Sequence, residues 1–278
     1  MLNVDLHCHS TVSDGALAPA AVAARAKAGG VDVWALTDHD EIGGISEARD
    51  AARGLGMHYV TGVEISVTWA AHTIHIVGLN FDEKNEDLAG GLHQTRSGRE
   101  RRAHEMAAQL AEVGVPDAFE GALRYVGNPD LISRTHFARF MVETGVCKDI
   151  QDVFSNYLTE GKPGYVPHRW AKLQDAVKWI RGAGGIAVVA HPGRYNLSDL
   201  EQDVFLAEFK RAGGTGVEVV TGSHTPEEFD IYARVARRHG LLASRGSDFH
   251  APGESQTELG SLPPLPPNLM PVWHDWRV

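Results

Sequence analysis

Short apolar runs bounded by turn residues recur along the first third of the chain, alternating with stretches whose apolar positions return at helical spacing. Residues 2–6 (LNVDL), 31–37 (VDVWALT), 58–63 (HYVTGV) and 73–79 (TIHIVGL) read as strands. Between them, 19–28 reads as a helix with Pro19 in its first turn and Gly29-Gly30 at its end. A second helix, 45–55, stops at Gly56. Strands and helices alternating at this rhythm predict βα units and a parallel sheet.

The pattern changes at about residue 87. From there to 173 the text is charged and helical (RSGRERRAHEMAAQLAEVG, ISRTHFARFMVETG, DIQDVFSNYLTEG), with no convincing strand. This predicts a helical insertion. The α/β rhythm returns with a helix at 173–183 and strands at 185–190 and 216–220, then a helix at 226–239 and a strand at 241–245. The tail SLPPLPPNLMPVW is proline-rich and is expected to lie extended over the surface.

A chain of 278 residues, 43% hydrophobic and 22% charged, has ordinary globular composition and can bury a sizeable core. No apolar run reaches the ~18 residues that span a bilayer, and MLNVDLHCHS has no secretion-signal pattern. Cys8 and Cys147 lack CxxC spacing, which argues against disulfides and cysteine zinc sites. No membrane and no obligate protein partner are expected, and the expected compartment is the cytoplasm. A net charge of −10 disfavours duplex nucleic acid, whose binding rests on phosphate neutralisation, but allows a small anion held by local arginines. The unusual count is 15 histidines.

Those histidines keep company with acids where the strands end. Asp5-Leu-His7-Cys-His9 follows the first strand, Asp38-His39-Asp40 the second and Glu64 the third, with His75 in the fourth. His191 follows the strand after the insertion, and Asp248-Phe249-His250 follows the last. Each token alone is weak; their joint placement at one end of a parallel barrel points to an active site. Side chains two apart on an extended segment share a face, so His7 and His9 can grip one ion while Cys8 turns to the core. Imidazole and carboxylate without thiolate suit manganese, iron or zinc.

The series DxHxH, SDG, TDHD, GVEIS, HIVGL, AHPGRY and GSDFH closely resembles the PHP (polymerase and histidinol phosphatase) family in order and spacing over nearly the whole chain. The resemblance implies a distorted (β/α)7 barrel made by 1–86 and 174–278, with 87–173 as a helical insertion covering the site. It also implies a trinuclear phosphoesterase holding two or three divalent ions, Mn2+ first and Fe2+ or Zn2+ as alternatives. On this likeness His7, His9, Glu64 and Asp248 serve one ion, and Glu64, His75 and His191 a second, with Glu64 bridging. Asp14, His39 and His250 serve a third. The stand-alone branch that this chain resembles implies a small nucleotide substrate, the 3′-phosphate of 3′,5′-nucleoside bisphosphates, with short single-stranded oligonucleotides as further substrates.

Phosphate needs donors beyond the ions, and Arg134 in ISRTHFA and Arg194 in HPGRY are the candidates. His224 is a candidate for binding phosphate or protonating the leaving alkoxide. Asp5, Asp38 and Asp40 are expected to orient imidazole rings, with turn and cap duty an equal reading for Asp40, which precedes a helix, and His136 is expected to pack. Three rivals stand: a histidinol-phosphate phosphatase, a carbon–nitrogen hydrolase of the amidohydrolase type, and a non-catalytic metal-binding domain. The second would recruit a lysine where this chain has Glu64.

Overall fold

The computed structural model describes residues 2–277. Its strands are β1 (Val4–Asp5), β2 (Val33–Leu36), β3 (His58–Trp69), β4 (His72–Leu79), β5 (Ala171–Lys172), β6 (Ile186–Val189), β7 (Gly216–Thr221) and β8 (Leu242–Gly246). They run in the order β1-β2-β3-β4-β6-β7-β8, with β5 paired beside β3. The two ends of that series meet: the Leu6 amide donates to the Arg245 carbonyl at 3.0 Å and the Asp248 amide to the His7 carbonyl at 2.8 Å. The result is a nearly closed seven-stranded barrel, as the family resemblance implies.

The parallel sheet expected from the βα rhythm has one exception. Strand β4 runs antiparallel to both β3 and β6. It forms a hairpin with β3 through Ala70 and Ala71, whose φ values of 44° and 70° are those of a two-residue turn with both central residues left-handed. Alanine carries no such turn signal, so the sequence did not advertise the hairpin. The reversal has a consequence for the site: β4 begins, rather than ends, at the mouth of the barrel.

The helices are α1 (Pro19–Ala28), α2 (Ile45–Gly54), α3 (Glu86–Arg96), α4 (Arg99–Glu112), α5 (Ala118–Leu123), α6 (Arg134–Glu143), α7 (Ile150–Val153), α8 (Leu173–Gly182), α9 (Asp199–Arg211) and α10 (Pro226–His239). Local chemistry explains several boundaries. Thr225 caps α10 and shares a reciprocal box with Glu228, and Gly240 at φ 60° ends it. Helix α9 is absent from the sequence reading, although Ser198 and Glu201 form the same box at its start.

Apolar side chains fill the lower barrel: Val4, Leu6, Val33, Val60, Val77, Val188 and, from the tail, Val272. That tail is more than a surface strap. The Ala243 amide donates to the Met270 carbonyl and the Val272 amide to the Ala243 carbonyl, and Val272 is 1% exposed. The helical stretch has a second core of its own, including Met106, Leu110, Phe137, Met141 and Leu158. Helix α3 sits instead with the barrel, where Leu88 and Leu92 join the main core. It packs on α8 through Gly91, where a Cβ would lie 2.3 Å from the Trp179 ring. Among the described residues no helix is long and apolar enough to cross a membrane.

Candidate metal centre

Above the apolar layer the barrel lining turns polar. Along β3, Val60 and Gly62 give way to Glu64, which is fully buried in the middle of a strand twice the expected length. His75 reaches the same level from the start of the reversed β4. His7 comes in close against β8 because Gly246 has no side chain: a Cβ there would be 2.2 Å from the His7 Cβ. His39 bridges to Glu64, and His191, Asp248 and His250 follow β6 and β8. All nine expected ligand positions, His7, His9, Asp14, His39, Glu64, His75, His191, Asp248 and His250, fall into four overlapping groups whose donor atoms lie within 4.8 Å of one another.

The donor distances, taken in the three expected ligand sets, overlap: His39 Nδ1 of the third also lies 3.0 Å from Glu64 Oε2 of the first. In the first, His7 Nε2 and His9 Nε2 are 3.3 Å apart and each lies 3.3 Å from Glu64 Oε2. Asp248 Oδ1 completes it at 3.5 and 3.3 Å from the same two nitrogens. In the second, Glu64 Oε1 is 2.9 Å from both His75 Nδ1 and His191 Nε2. In the third, Asp14 Oδ1 is 3.4 Å from His250 Nε2 and 3.8 Å from His39 Nε2.

These residues fit divalent ions on two grounds. Buried Asp14 Oδ1, Glu64 Oε2 and Asp248 Oδ1 have no hydrogen-bond partner, and an unpaired buried polar atom costs about 1–3 kcal/mol. The 3.3–3.5 Å separations within the first set also let its donors share one cation.

Electrostatics favour the ligating forms of the acids. Burial opposes ionisation of Asp14, but His39 and His250 outweigh it and hold the carboxyl well below its ordinary range. Burial likewise opposes ionisation of Glu64 and Asp248, and imidazoles led by His75 and His7 respectively draw both well down. Burial, then Arg194, pushes His191 down to about 3, so its ring is neutral. His250 goes the other way: despite burial, neighbouring Asp14 lifts it to about 9.

The supporting shell departs from expectation. Asp38 accepts hydrogen bonds from the Ser10 amide, Ser10 Oγ and Ser13 Oγ at 2.6–2.7 Å. Asp5 accepts from the Ser247 and Gly260 amides, and Asp40 from Ser66 and Arg99. These aspartates pin loops, and their hydrogen bonds do not reach imidazole. That task falls to Glu218, missed in the sequence although an acid inside the apolar strand GVEVVT is the kind of signal that marks it. Its Oε1 lies 2.7 Å from His7 Nδ1, and its Oε2 accepts from the His191 amide at 2.6 Å.

His224 is buried. Its Nε2 accepts from the Gly193 amide at 3.0 Å, its Nδ1 donates to the Val219 carbonyl at 3.2 Å, and its ring stacks on Tyr232. With both nitrogens engaged it braces the loop that carries Arg194.

The two arginines do line an open cleft of about 600 Å³ between barrel and helical unit. Arg194, half-exposed, donates to Asp248 Oδ2 at 2.9 Å. Arg134 stands with Thr135 and Phe154 on the helical wall and donates to the Leu158 carbonyl at 3.2 Å. His136 is buried and packs, as expected, with Nδ1 accepting from the Ser133 amide.

A seven-stranded barrel with imidazoles and acids clustered at its mouth, opening on an arginine-lined cleft, defines a metal-dependent hydrolase of phosphate esters. Residues 5–160 match the PHP domain, and the chain belongs to that family. It is 51% identical over 275 residues to a 3′,5′-nucleoside bisphosphate phosphatase of Chromobacterium violaceum, covering 99% of this chain and 96% of that one. It is 42% identical over 275 residues to the 5′-3′ exoribonuclease Rnm of Escherichia coli K12, covering 98% and 93%. A solved Chromobacterium violaceum structure, described as an amidohydrolase with bound sulfate and no metal, is similar at TM-score 0.95 and 51% identity over 98% of this chain and 94% of that one.

Proposed function

We propose that the chain removes the 3′-phosphate from 3′,5′-nucleoside bisphosphates and also trims short single-stranded oligonucleotides. The observation that carries this reading is the pair of arginines from two separate units, Arg194 and Arg134, flanking one cleft. A nucleotide phosphorylated at both ends offers each guanidinium an anion. The likeness to a bisphosphate phosphatase and to an exoribonuclease supports the same substrate class.

Three ions, with Mn2+ preferred over Fe2+ or Zn2+, are the filling that the three donor sets support. His7, His9, Glu64 and Asp248 would hold the first, Glu64, His75 and His191 the second, and Asp14, His39 and His250 the third. Such ions supply charge neutralisation for the phosphoryl group and acidify the attacking water. Arg194, drawn to Asp248 beside the first donor set, would present its planar fork to the phosphoryl oxygens as they gain charge. Arg134 would fix the other end of the nucleotide and exclude water by holding the helical unit over it. The proposed compartment is the cytoplasm, where such nucleotides are found.

The test is phosphate release by Mn2+-loaded protein from adenosine 3′,5′-bisphosphate, 5′-AMP and histidinol phosphate, and mononucleotide release from a 5′-phosphorylated dinucleotide, with elemental analysis of the same sample. The bisphosphate is expected to lead, and 5′-AMP, which is the product of 3′-phosphate removal, should release no phosphate above background. Arg194→Lys should lower kcat/KM by about 10–100-fold, because an ammonium cannot reproduce bidentate contact, while bound metal stays at wild-type level. Preference for histidinol phosphate would transfer the chain to the first rival reading. Hydrolysis of amides instead would favour the second, although Glu64 stands where that chemistry recruits a lysine.

A further inference from the structure

Glu218 lies in the middle of β7, 1% exposed, and the pairing of β7 with β8 shifts register between Glu218 and Val220. Such a bulge bends a strand and re-aims its side chains. Here the carboxylate reaches two residues from different strands. Oε1 lies 2.7 Å from His7 Nδ1, and Oε2 accepts from the His191 amide at 2.6 Å. A Nδ1–H bonded to a carboxylate leaves His7 Nε2 as a bare lone pair turned toward His9, Glu64 and Asp248. The second bond holds a backbone that needs holding. His191 has φ 24° and ψ 60°, a region non-glycine residues rarely occupy. From that posture its Nε2 sits 2.9 Å from Glu64 Oε1.

We propose that Glu218 is the positioning residue shared by the first two ion sites: one oxygen fixes the ring of a ligand to the first, the other the backbone of a ligand to the second. The proposal rests on the ligand sets given above. Its physical core is that the task needs two acceptor oxygens. Glutamine has the same shape but only one, and its amide would face a donor wherever it turned. The third set, Asp14, His39 and His250, has no hydrogen bond from Glu218 and is independent of it.

The experiment is a metal titration of chelated protein with Mn2+ or Zn2+, followed by calorimetry and elemental analysis, for wild type, Glu218→Gln and His250→Ala. Glu218→Gln should weaken the first and second sites by about 10–100-fold each, the usual cost of losing an outer partner of a metal ligand. The third site should remain near wild type. His250→Ala should show the converse pattern. A merely structural role would lower the melting temperature of metal-free and loaded protein alike and leave the dissociation constants in place, and that result overturns the proposal. Should wild type bind fewer than two ions, the ligand sets themselves fail, which is a separate outcome. Nitrogen-15 and proton spectra of Zn2+-loaded wild type give a test without substitution: the His7 Nδ1 proton should show the strong downfield shift of a hydrogen bond to a carboxylate, and a proton shift like that of a water-bonded ring would overturn the assignment whether or not the variant folds.

Discussion

His224 has one hydrogen bond on each ring nitrogen, to the Gly193 amide and the Val219 carbonyl, so no lone pair or proton is left for a leaving group. Glutamine offers one acceptor and one donor in similar places. His224→Gln should therefore keep kcat within about 5-fold and leave the pH–rate profile in place, where loss of a general acid costs about 10²–10⁴-fold. A collapse of kcat together with loss of one limb of the profile would restore the catalytic role. The same residue shows where the sequence stops being informative. Ligand types stand out in apolar text because buried acids and imidazoles need a reason to be there, and all nine converge. Which partner a ring nitrogen finds is decided by packing across strands distant in sequence. Glu218 reaching His7, and Asp38 serving serines rather than imidazole, were for that reason not legible.

At the scale of elements, helix α6 joins the helical unit to the metal centre. Its cap Ser133 and first-turn Thr135 both donate to Asp14 Oδ2, while Asp14 Oδ1 faces His9, His39 and His250. The box that starts α6 has His136 where glutamate or glutamine is usual, its Nδ1 accepting from the Ser133 amide. Burial pushes this imidazole down to about 4, with Asp14 pulling the other way. The folded value lies below the ordinary 6.5, so the contribution to stability is complete above pH 6.5 and is lost as pH falls from there toward 4. Between pH 7 and 5 that loss is about 2 kcal/mol. His136→Gln keeps the acceptor and removes the titration. Urea unfolding at the two pH values should show a smaller acid-induced loss in the variant than in wild type, and equal losses would refute the assignment. The elements themselves were legible wherever period and punctuation agreed, as in α1 and α10. The β3–β4 hairpin was not, because its turn is two alanines, and α9 was not read as a helix although Ser198 and Glu201 mark its start.

For the whole molecule the decisive event is closing the barrel, and one guanidinium holds the last seam from outside. Arg245 on β8 donates to the carbonyl of Val4, the first residue of β1, at 2.6 Å and to Asn3 Oδ1 just before it at 2.8 Å. The same group donates to the Pro263 carbonyl at 2.8 Å and to the Leu262 carbonyl, tying the proline-rich tail to the two strands it follows. It is 5% exposed, so these acceptors find little water if it is removed. Arg245→Met keeps most of the volume and deletes every one of those donors. The cost should be about 3–5 kcal/mol, the range for breaking a buried charged network from one side. For a domain of this size that corresponds to a fall of roughly 6–15 °C in melting temperature. Arg245→Lys, which retains charge but reaches fewer acceptors, should fall between the two. If Arg245→Met instead melts within about 2 °C of wild type, apolar packing of Val272 against the lower barrel is sufficient to hold the seam, and the hydrogen bonds of Arg245 follow closure without driving it.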